Sequence, residues 1–207
     1  MECWLVRHGE STWNSERRFQ GTLDAPLSAR GRAQASALAA GLGDTRFDAL
    51  YTSPLGRARE TAAACGARLG LEAVLLDELR EISLGDWEGL TLEAVQAREG
   101  DYYRRWLEAP VDHPAPGGEP MPGLATRVRA ALDRLCAVHP EGRVLVVAHG
   151  GVIASALCGW LDRPLNAIWT FRLANASITR VELPAGRLLG INEVDHLRDV
   201  GPVTVAP

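Results

Sequence analysis

Apolar residues in this chain come in short unbroken runs that stop at clusters of polar residues and glycine. Residues 3–6 (CWLV) stop at Arg7-His8-Gly9, and residues 144–148 (VLVVA) stop at His149-Gly150-Gly151. Runs of this length without alternation read as strands buried on both faces, as in parallel sheets. Residues 47–52 (FDALYT) and 73–76 (AVLL) are further strand-like runs. Between the runs the spacing becomes that of amphipathic helices: Leu27, Ala35, Leu38 and Leu42 with Ser28 as N-cap, the alanine-rich stretch 55–70, residues 124–138 and residues 152–161. Strand, loop and helix in repeated succession predict an α/β fold of three layers, α/β/α, with a mainly parallel sheet of about six strands. SITRVEL and RLLGIN around Pro184-Ala185-Gly186 predict a hairpin that closes one edge with an antiparallel strand.

Residues 90–125 break this rhythm. A helix-like stretch with Tyr102, Tyr103 and Trp106 is followed by five prolines and three glycines between Pro110 and Gly123. An ordered insertion between two strand units suits a lid over a pocket at the strand ends, and the aromatic residues serve equally well as local core. Residues 1–207 are expected to form one domain, with the lid at about 85–125. Residues 144–161 approach bilayer-spanning length, but His149 and the glycine pair interrupt them, so a strand, a turn and a helix are expected there.

Composition narrows the chemistry. All 22 basic residues are arginine, which excludes a Walker-type phosphate loop and a Schiff-base mechanism, since both need lysine. A net charge of -4 without a basic stripe argues against nucleic acid. Cys3, Cys65, Cys136 and Cys158 have no CxxC spacing, and the amino terminus lacks a charged-then-apolar leader. The histidines at 8, 113, 139, 149 and 196 lack metal-ligand spacing. A reduced, cytoplasmic protein without metal or cofactor is expected.

In open α/β sheets ligands bind beyond the carboxyl ends of the strands, which is where the polar clusters fall. Arg7 and His8 close the first run, Gly9 is expected to let a ligand approach the backbone, and Ser11, Thr12 and Asn14 offer donors and a cap. Gln20 and Gly21, in the irregular loop 15–26, could touch the same ligand. Arg57 falls at the start of a helix, where N–H groups and a guanidinium suit an anion, with Arg59 as its solvated competitor. Glu81, between Leu79 and Ile82, is the best-placed carboxylate; partial burial would raise its pKa and suit it to acid catalysis. Singly, each residue has an ordinary packed or solvated alternative. Together they describe an anion site.

Five segments now carry a resemblance. LVRHGESTWN at 5–14, PLSARGRAQA at 26–35, YTSPLGRARETA at 51–62, LREISLGDWEG at 79–89 and VVAHGG at 146–151 resemble, in order and over most of the chain, the histidine phosphatase superfamily, or phosphoglycerate mutase-like family. The resemblance implies that His8 is a nucleophile that becomes phosphohistidine. Arg7, Asn14, Arg57 and His149 would surround the phosphoryl oxygens, with Gln20, Gly21 and Gly150 completing the phosphate-binding set. Glu81 would protonate the leaving alkoxide and later activate water. His8 would have to be neutral, its other nitrogen donating to a backbone carbonyl. No metal is implied. The implied partner is a small-molecule phosphate monoester, with no nucleic acid and no membrane, and the oligomeric state, a homodimer included, stays open.

The family contains mutases and phosphatases. Mutase relatives carry ERHYG around the acidic residue, a lysine shortly afterwards and an arginine pair in the insertion. This chain has Glu81-Ile82-Ser83-Leu84-Gly85, no lysine, and only Arg104 and Arg105 in the unmatched context YYRRW. Trp87, Tyr102, Tyr103 and Trp106 are expected to make the leaving-group pocket apolar. These departures and Gln20 resemble the broad-specificity phosphatase branch. A cofactor-dependent phosphoglycerate mutase, an alpha-ribazole phosphatase and a non-catalytic phospholigand-binding module are the alternatives.

Overall fold

The computed structural model describes residues 1–201; the stretch 202–207, included in the single-domain expectation, lies outside the described residues. At the centre of the sheet, β1 (Glu2–Arg7) and β4 (Arg143–Ala148) run parallel, with Cys3 opposite Val144 and Arg7 opposite Ala148. β2 (Ala49–Thr52) pairs with β4, and β3 (Ala73–Leu75) with β2, both in parallel. β5 (Ile178–Glu182) runs antiparallel to β1, and β6 (Arg187–Glu193) antiparallel to β5. The order is β3-β2-β4-β1-β5-β6, so the antiparallel pairings lie at the hairpin edge that the sequence pattern predicts.

Successive strand side chains point to opposite faces, which builds three layers. On one face Cys3 and Leu5 of β1 and Val144, Val146 and Ala148 of β4 pack against α5 (Met121–Val138) and α6 (Gly150–Trp160). On the other, Val6, Leu145 and Val147 meet Leu38 of α2 (Ala29–Gly41) and Ala58, Ala62 and Cys65 of α3 (Gly56–Leu69). Ser28 caps α2 by accepting the Gly31 N–H at 3.0 Å. Ser11 caps the short α1 (Thr12–Ser15) in a reciprocal capping box with Asn14.

The segment 85–125 holds a 3₁₀ turn at Gly85–Trp87, then α4 (Leu92–Glu108), which is interrupted at Glu99, then a Pro/Gly-rich stretch. α5 starts at Met121, ahead of the 124 expected from periodicity, because Pro122 falls in the first turn, where its missing N–H costs nothing. The apolar stretch 144–161 divides into β4 and α6. Among the described residues no helix is long and apolar enough to cross a membrane.

Candidate active site

The parallel strands deliver their polar ends to one side of the sheet. There a cavity of about 140 Å³ is lined by Arg7, His8, Asn14, Gln20, Gly21, Arg57, Glu81 and Gly150, all expected from the sequence. His149 lies immediately behind it, fully buried, its ring centroid 5.2 Å from that of His8. Arg59, the competitor of Arg57, is exposed.

His8 follows β1, and its Nδ1 lies 2.7 Å from the Gly9 carbonyl oxygen. Only a protonated Nδ1 makes that hydrogen bond, so the tautomer leaves the Nε2 lone pair free towards the cavity. Burial, followed by the nearby Arg57 and Arg7 charges, pushes the His8 pKa well below its usual value, against the opposing effect of the Gly9 hydrogen bond. A neutral imidazole with one free nitrogen is a competent nucleophile. Gly9 has a different role from the one expected. A Cβ there would stand 2.5 Å from the Gly31 carbonyl oxygen, so its missing side chain admits helix α2 to the strand end, not a ligand.

Two guanidinium groups flank His8. Arg7 donates one N–H to the Leu173 carbonyl, while Arg57 donates to Leu23 O at 2.7 Å and Gly21 O at 2.8 Å. Burial lowers the Arg7 pKa to about 10 and lowers that of Arg57 too, with the Glu81 charge opposing both shifts. Arg7 therefore stays cationic at neutral pH. His149 shares a 2.8 Å hydrogen bond with Ser53 through Nε2, and burial and the Arg57 charge push its pKa well down. Arg7 Nε, Arg57 Nε and His149 Nδ1 are buried without a partner. Unpaired buried polar atoms cost roughly 1–3 kcal/mol each, a cost that an anion accepting from them would relieve.

The amides complete the floor. Asn14 Oδ1 accepts from Ser11 and Asn175, which leaves its Nδ2 for a ligand. Gln20 Oε1 accepts from the Ser11 hydroxyl at 2.7 Å, leaving Nε2. Gly21 acts at one remove, its carbonyl holding Arg57.

Glu81 is not a carboxyl surrounded only by apolar side chains, as its sequence neighbours suggest. It is half-buried, and its two oxygens accept the backbone N–H groups of Ile82 at 3.0 Å and Gly151 at 3.1 Å. Its segment is clamped from outside by Arg127 of α5, which donates to the carbonyls of Glu78, Arg80 and Glu81 while paired with both Glu119 oxygens. Glu88 ties the same segment to the loop of Arg57's acceptors, accepting from Thr22 N at 3.0 Å and Leu84 N at 2.9 Å. Sequence reasoning missed Ser53, Gly151, Arg127 and Asn175 as supports. Ser53 and Gly151 lie inside the motifs, whereas Arg127 and Asn175 carry no local signal.

The aromatic expectation needs correction. Of Trp87, Tyr102, Tyr103 and Trp106, only Trp106 lines the cavity. Trp87 and Tyr103 are buried in a ring cluster, with Trp87 to Trp106 at 5.3 Å and Tyr103 to Trp106 at 5.7 Å. Tyr102 donates its hydroxyl to Pro114 O. Burying large rings against one another removes more apolar surface than lining a wet cleft, so most of the group becomes core. The cavity walls come instead from Phe19, Trp169 and Phe171 with Trp106. Arg104 and Arg105 are also absent from the cavity: Arg104 pairs with Asp101 and Arg105 lies over the Tyr102 ring. The cations at the mouth are Arg18 and Arg172. Among the described residues no group of three or more His, Cys, Asp or Glu could hold a metal ion.

Comparison with known proteins agrees with this geometry. A family model described as histidine phosphatase superfamily (branch 1) matches residues 3–192. Phosphoserine phosphatase 1 of Hydrogenobacter thermophilus is 35% identical, the match covering 93% of this chain and 92% of that protein. "Probable phosphoglycerate mutase GpmB" of Escherichia coli O1:K1 is 36% identical over 88% of this chain and 85% of its own. A solved mycobacterial glucosyl-3-phosphoglycerate phosphatase superposes with a TM-score of 0.85 at 34% identity, covering 93% of this chain and 99% of that one. A match that runs through both strand-end histidines and nearly the full sheet has one reading: the chain belongs to the histidine phosphatase superfamily.

Proposed function

We propose that this protein is a phosphomonoesterase of broad specificity that hydrolyses small phosphate monoesters through a phosphohistidine at His8. The observation that carries the reading is the free Nε2 of a neutral, oriented His8 facing a cavity where Arg7 Nε, Arg57 Nε and His149 Nδ1 have no partner. A phosphoryl group brings about two negative charges, which two guanidinium groups and an imidazole N–H match. His8 Nε2 attacks phosphorus, the ester P–O bond breaks, and Glu81 gives its proton to the departing alkoxide. Water then attacks the phosphohistidine and passes a proton to Glu81. The P–N bond breaks and inorganic phosphate leaves. Each step uses only side chains of this chain, so the reading is metal-independent. Asn14, Gln20 and Gly150 hold the phosphoryl oxygens or their surroundings, and residues 85–125 serve as a lid on a single domain in a cytoplasmic protein. Glu81 argues against a module that only binds phospholigands, since binding needs cations and no acid.

His8→Ala abolishes phosphate release on this reading. Glu81→Gln impairs alkyl phosphates far more than p-nitrophenyl phosphate, because an aryloxide leaves without a proton. Equal loss on both esters removes Glu81 from the acid role. Phosphoglycerate mutase activity is the second reading, favoured by the relative named GpmB and by the cations Arg18 and Arg172 at the mouth. Incubation with 3-phosphoglycerate, with and without 2,3-bisphosphoglycerate, separates the two. Cofactor-stimulated 2-phosphoglycerate formation outrunning phosphate release overturns the phosphatase reading.

A further inference from the structure

Arg57 is held beside His8 by a loop remote from it along the chain, and one carboxylate fastens that loop to the helix on which Arg57 stands. Asp24 Oδ2 accepts the Gly56 N–H at 2.5 Å, and Asp24 Oδ1 accepts the Arg57 N–H at 3.4 Å. These N–H groups open α3, and the N-cap residue Leu55 gives them no side-chain bond. The helix start that the sequence marks as suited to an anion thus holds a carboxylate of the chain itself, where the helix dipole favours it. Gly56 makes the room, since a Cβ there would stand 2.7 Å from Asp24 Oδ2. The same loop receives the other end of Arg57, whose guanidinium donates to Gly21 O and Leu23 O. On its far side the loop is tied to the Glu81 segment by the Thr22 N–H, which donates to Glu88.

The charge of Asp24 does little of this. Its Oδ1 lies 3.8 Å from the Arg57 guanidinium, beyond hydrogen-bond range, and its side chain is 48% exposed, so water screens the pair. Acting by charge alone, a carboxylate beside a phosphate-binding guanidinium would oppose the incoming anion. The bonds to the backbone have the opposite consequence. Without them, the hydrogen bonds left between residues 21–24 and α3, among the described residues, are those of the Arg57 guanidinium itself. We infer that Asp24 is a positioning residue: by accepting the N–H groups that open α3 it sets the loop against the helix, and so aims Arg57 at the phosphoryl oxygens. It touches no substrate. The inference rests on the phosphomonoesterase reading for the role of Arg57, and its first readout is binding without turnover.

The test titrates inorganic phosphate calorimetrically into the wild type, Asp24→Ala, Asp24→Asn and Gly56→Ala, each well below its Tm. Asp24→Ala is expected to weaken binding roughly five- to tenfold, the range set by loss of a helix cap. Asp24→Asn, which keeps an oxygen acceptor and loses the charge, recovers most of the affinity. Gly56→Ala, whose Cβ expels the carboxylate, reproduces the loss and adds nothing to it in the Asp24→Ala background. Tighter phosphate binding in both the Ala and the Asn variant means that Asp24 acts by charge, and overturns the inference. A lowered Tm with unchanged phosphate binding assigns Asp24 to folding alone and does the same. A second cycle uses kcat/KM on p-nitrophenyl phosphate. Asp24→Ala should lower it about tenfold in the wild type and leave it unchanged in Arg57→Ala, because the effect passes through Arg57; an equal loss in both backgrounds overturns the inference. Phosphate binding that depends on Asp24 in a protein hydrolysing no ester keeps the inference and removes the phosphatase reading. Ester hydrolysis and phosphate binding both indifferent to Asp24 do the reverse.

Discussion

Replacing Gly151 by alanine separates the position of the Glu81 carboxylate from its mere presence. A Cβ at residue 151 would stand 2.5 Å from Glu81 Oε1, whereas ordinary contact begins at 3.4 Å, so the carboxylate must retreat by the difference, about 0.9 Å. The fold absorbs this easily. The displaced atoms are the end of a flexible side chain, Gly151 lies in the first turn of α6, and alanine is the better helix former by up to about 1 kcal/mol. The chemistry does not absorb it. Retreat stretches the 3.1 Å bond from the Gly151 N–H and moves the acid away from the ester oxygen. A misplacement of about 1 Å costs on the order of 10²-fold. We expect kcat/KM on glycerol 3-phosphate to fall roughly 10- to 100-fold. On p-nitrophenyl phosphate, whose leaving group needs no proton, the loss should be roughly tenfold smaller. Steady-state phosphate release with both esters, run beside thermal unfolding, provides the assay, and Tm should equal or exceed that of the wild type. Losses of the same size on both esters at unchanged Tm, or no loss on either, would refute the reasoning.

Arg57→Ala should lower kcat/KM by roughly 10²–10³ on every ester, as for loss of a preorganised charge-stabilising donor; a drop confined to alkyl esters contradicts its place at the phosphoryl group. Ser53→Ala removes the partner of His149 Nε2 and should cost roughly tenfold in kcat, with Ser53→Thr recovering most of it, whereas a fall in Tm without a fall in kcat assigns Ser53 to folding alone. Arg127→Ala frees the carbonyls of Glu78, Arg80 and Glu81 and should reduce turnover of alkyl phosphates more than of aryl phosphates, with Tm lowered by about 2–4 °C for each 1 kcal/mol lost. His8 and His149 have pKa values held well below normal in the folded protein, so the unfolded chain takes up protons first as pH falls below about 6.5. Stability of the ligand-free protein should therefore decline below that pH by up to about 1.4 kcal/mol per unit for each histidine, and be insensitive to these groups above it. Urea unfolding at pH 7.5 and 5.5 measures this, and equal stability at both values contradicts it.

What the chain's order of residues determines is what neighbours along it can settle. Unbroken apolar runs must be buried on both faces, so β1 and β4 and their polar ends are readable, and with them Arg7, His8 and His149. Ser28 and Ser11 announce helix starts because a cap acts within three residues. Tertiary structure decides whatever depends on which surfaces meet. Gly9 faces the carbonyl of Gly31 instead of a ligand, Trp87 and Tyr103 enter the core instead of the pocket, and the cavity is walled by Phe19, Trp169 and Phe171 from distant loops. The same holds for the cations: Arg172 and Arg104 are indistinguishable as letters. Only packing places one at the cavity and the other on the surface with Asp101, because long-range charge and burial depend on distances in space that local sequence does not encode.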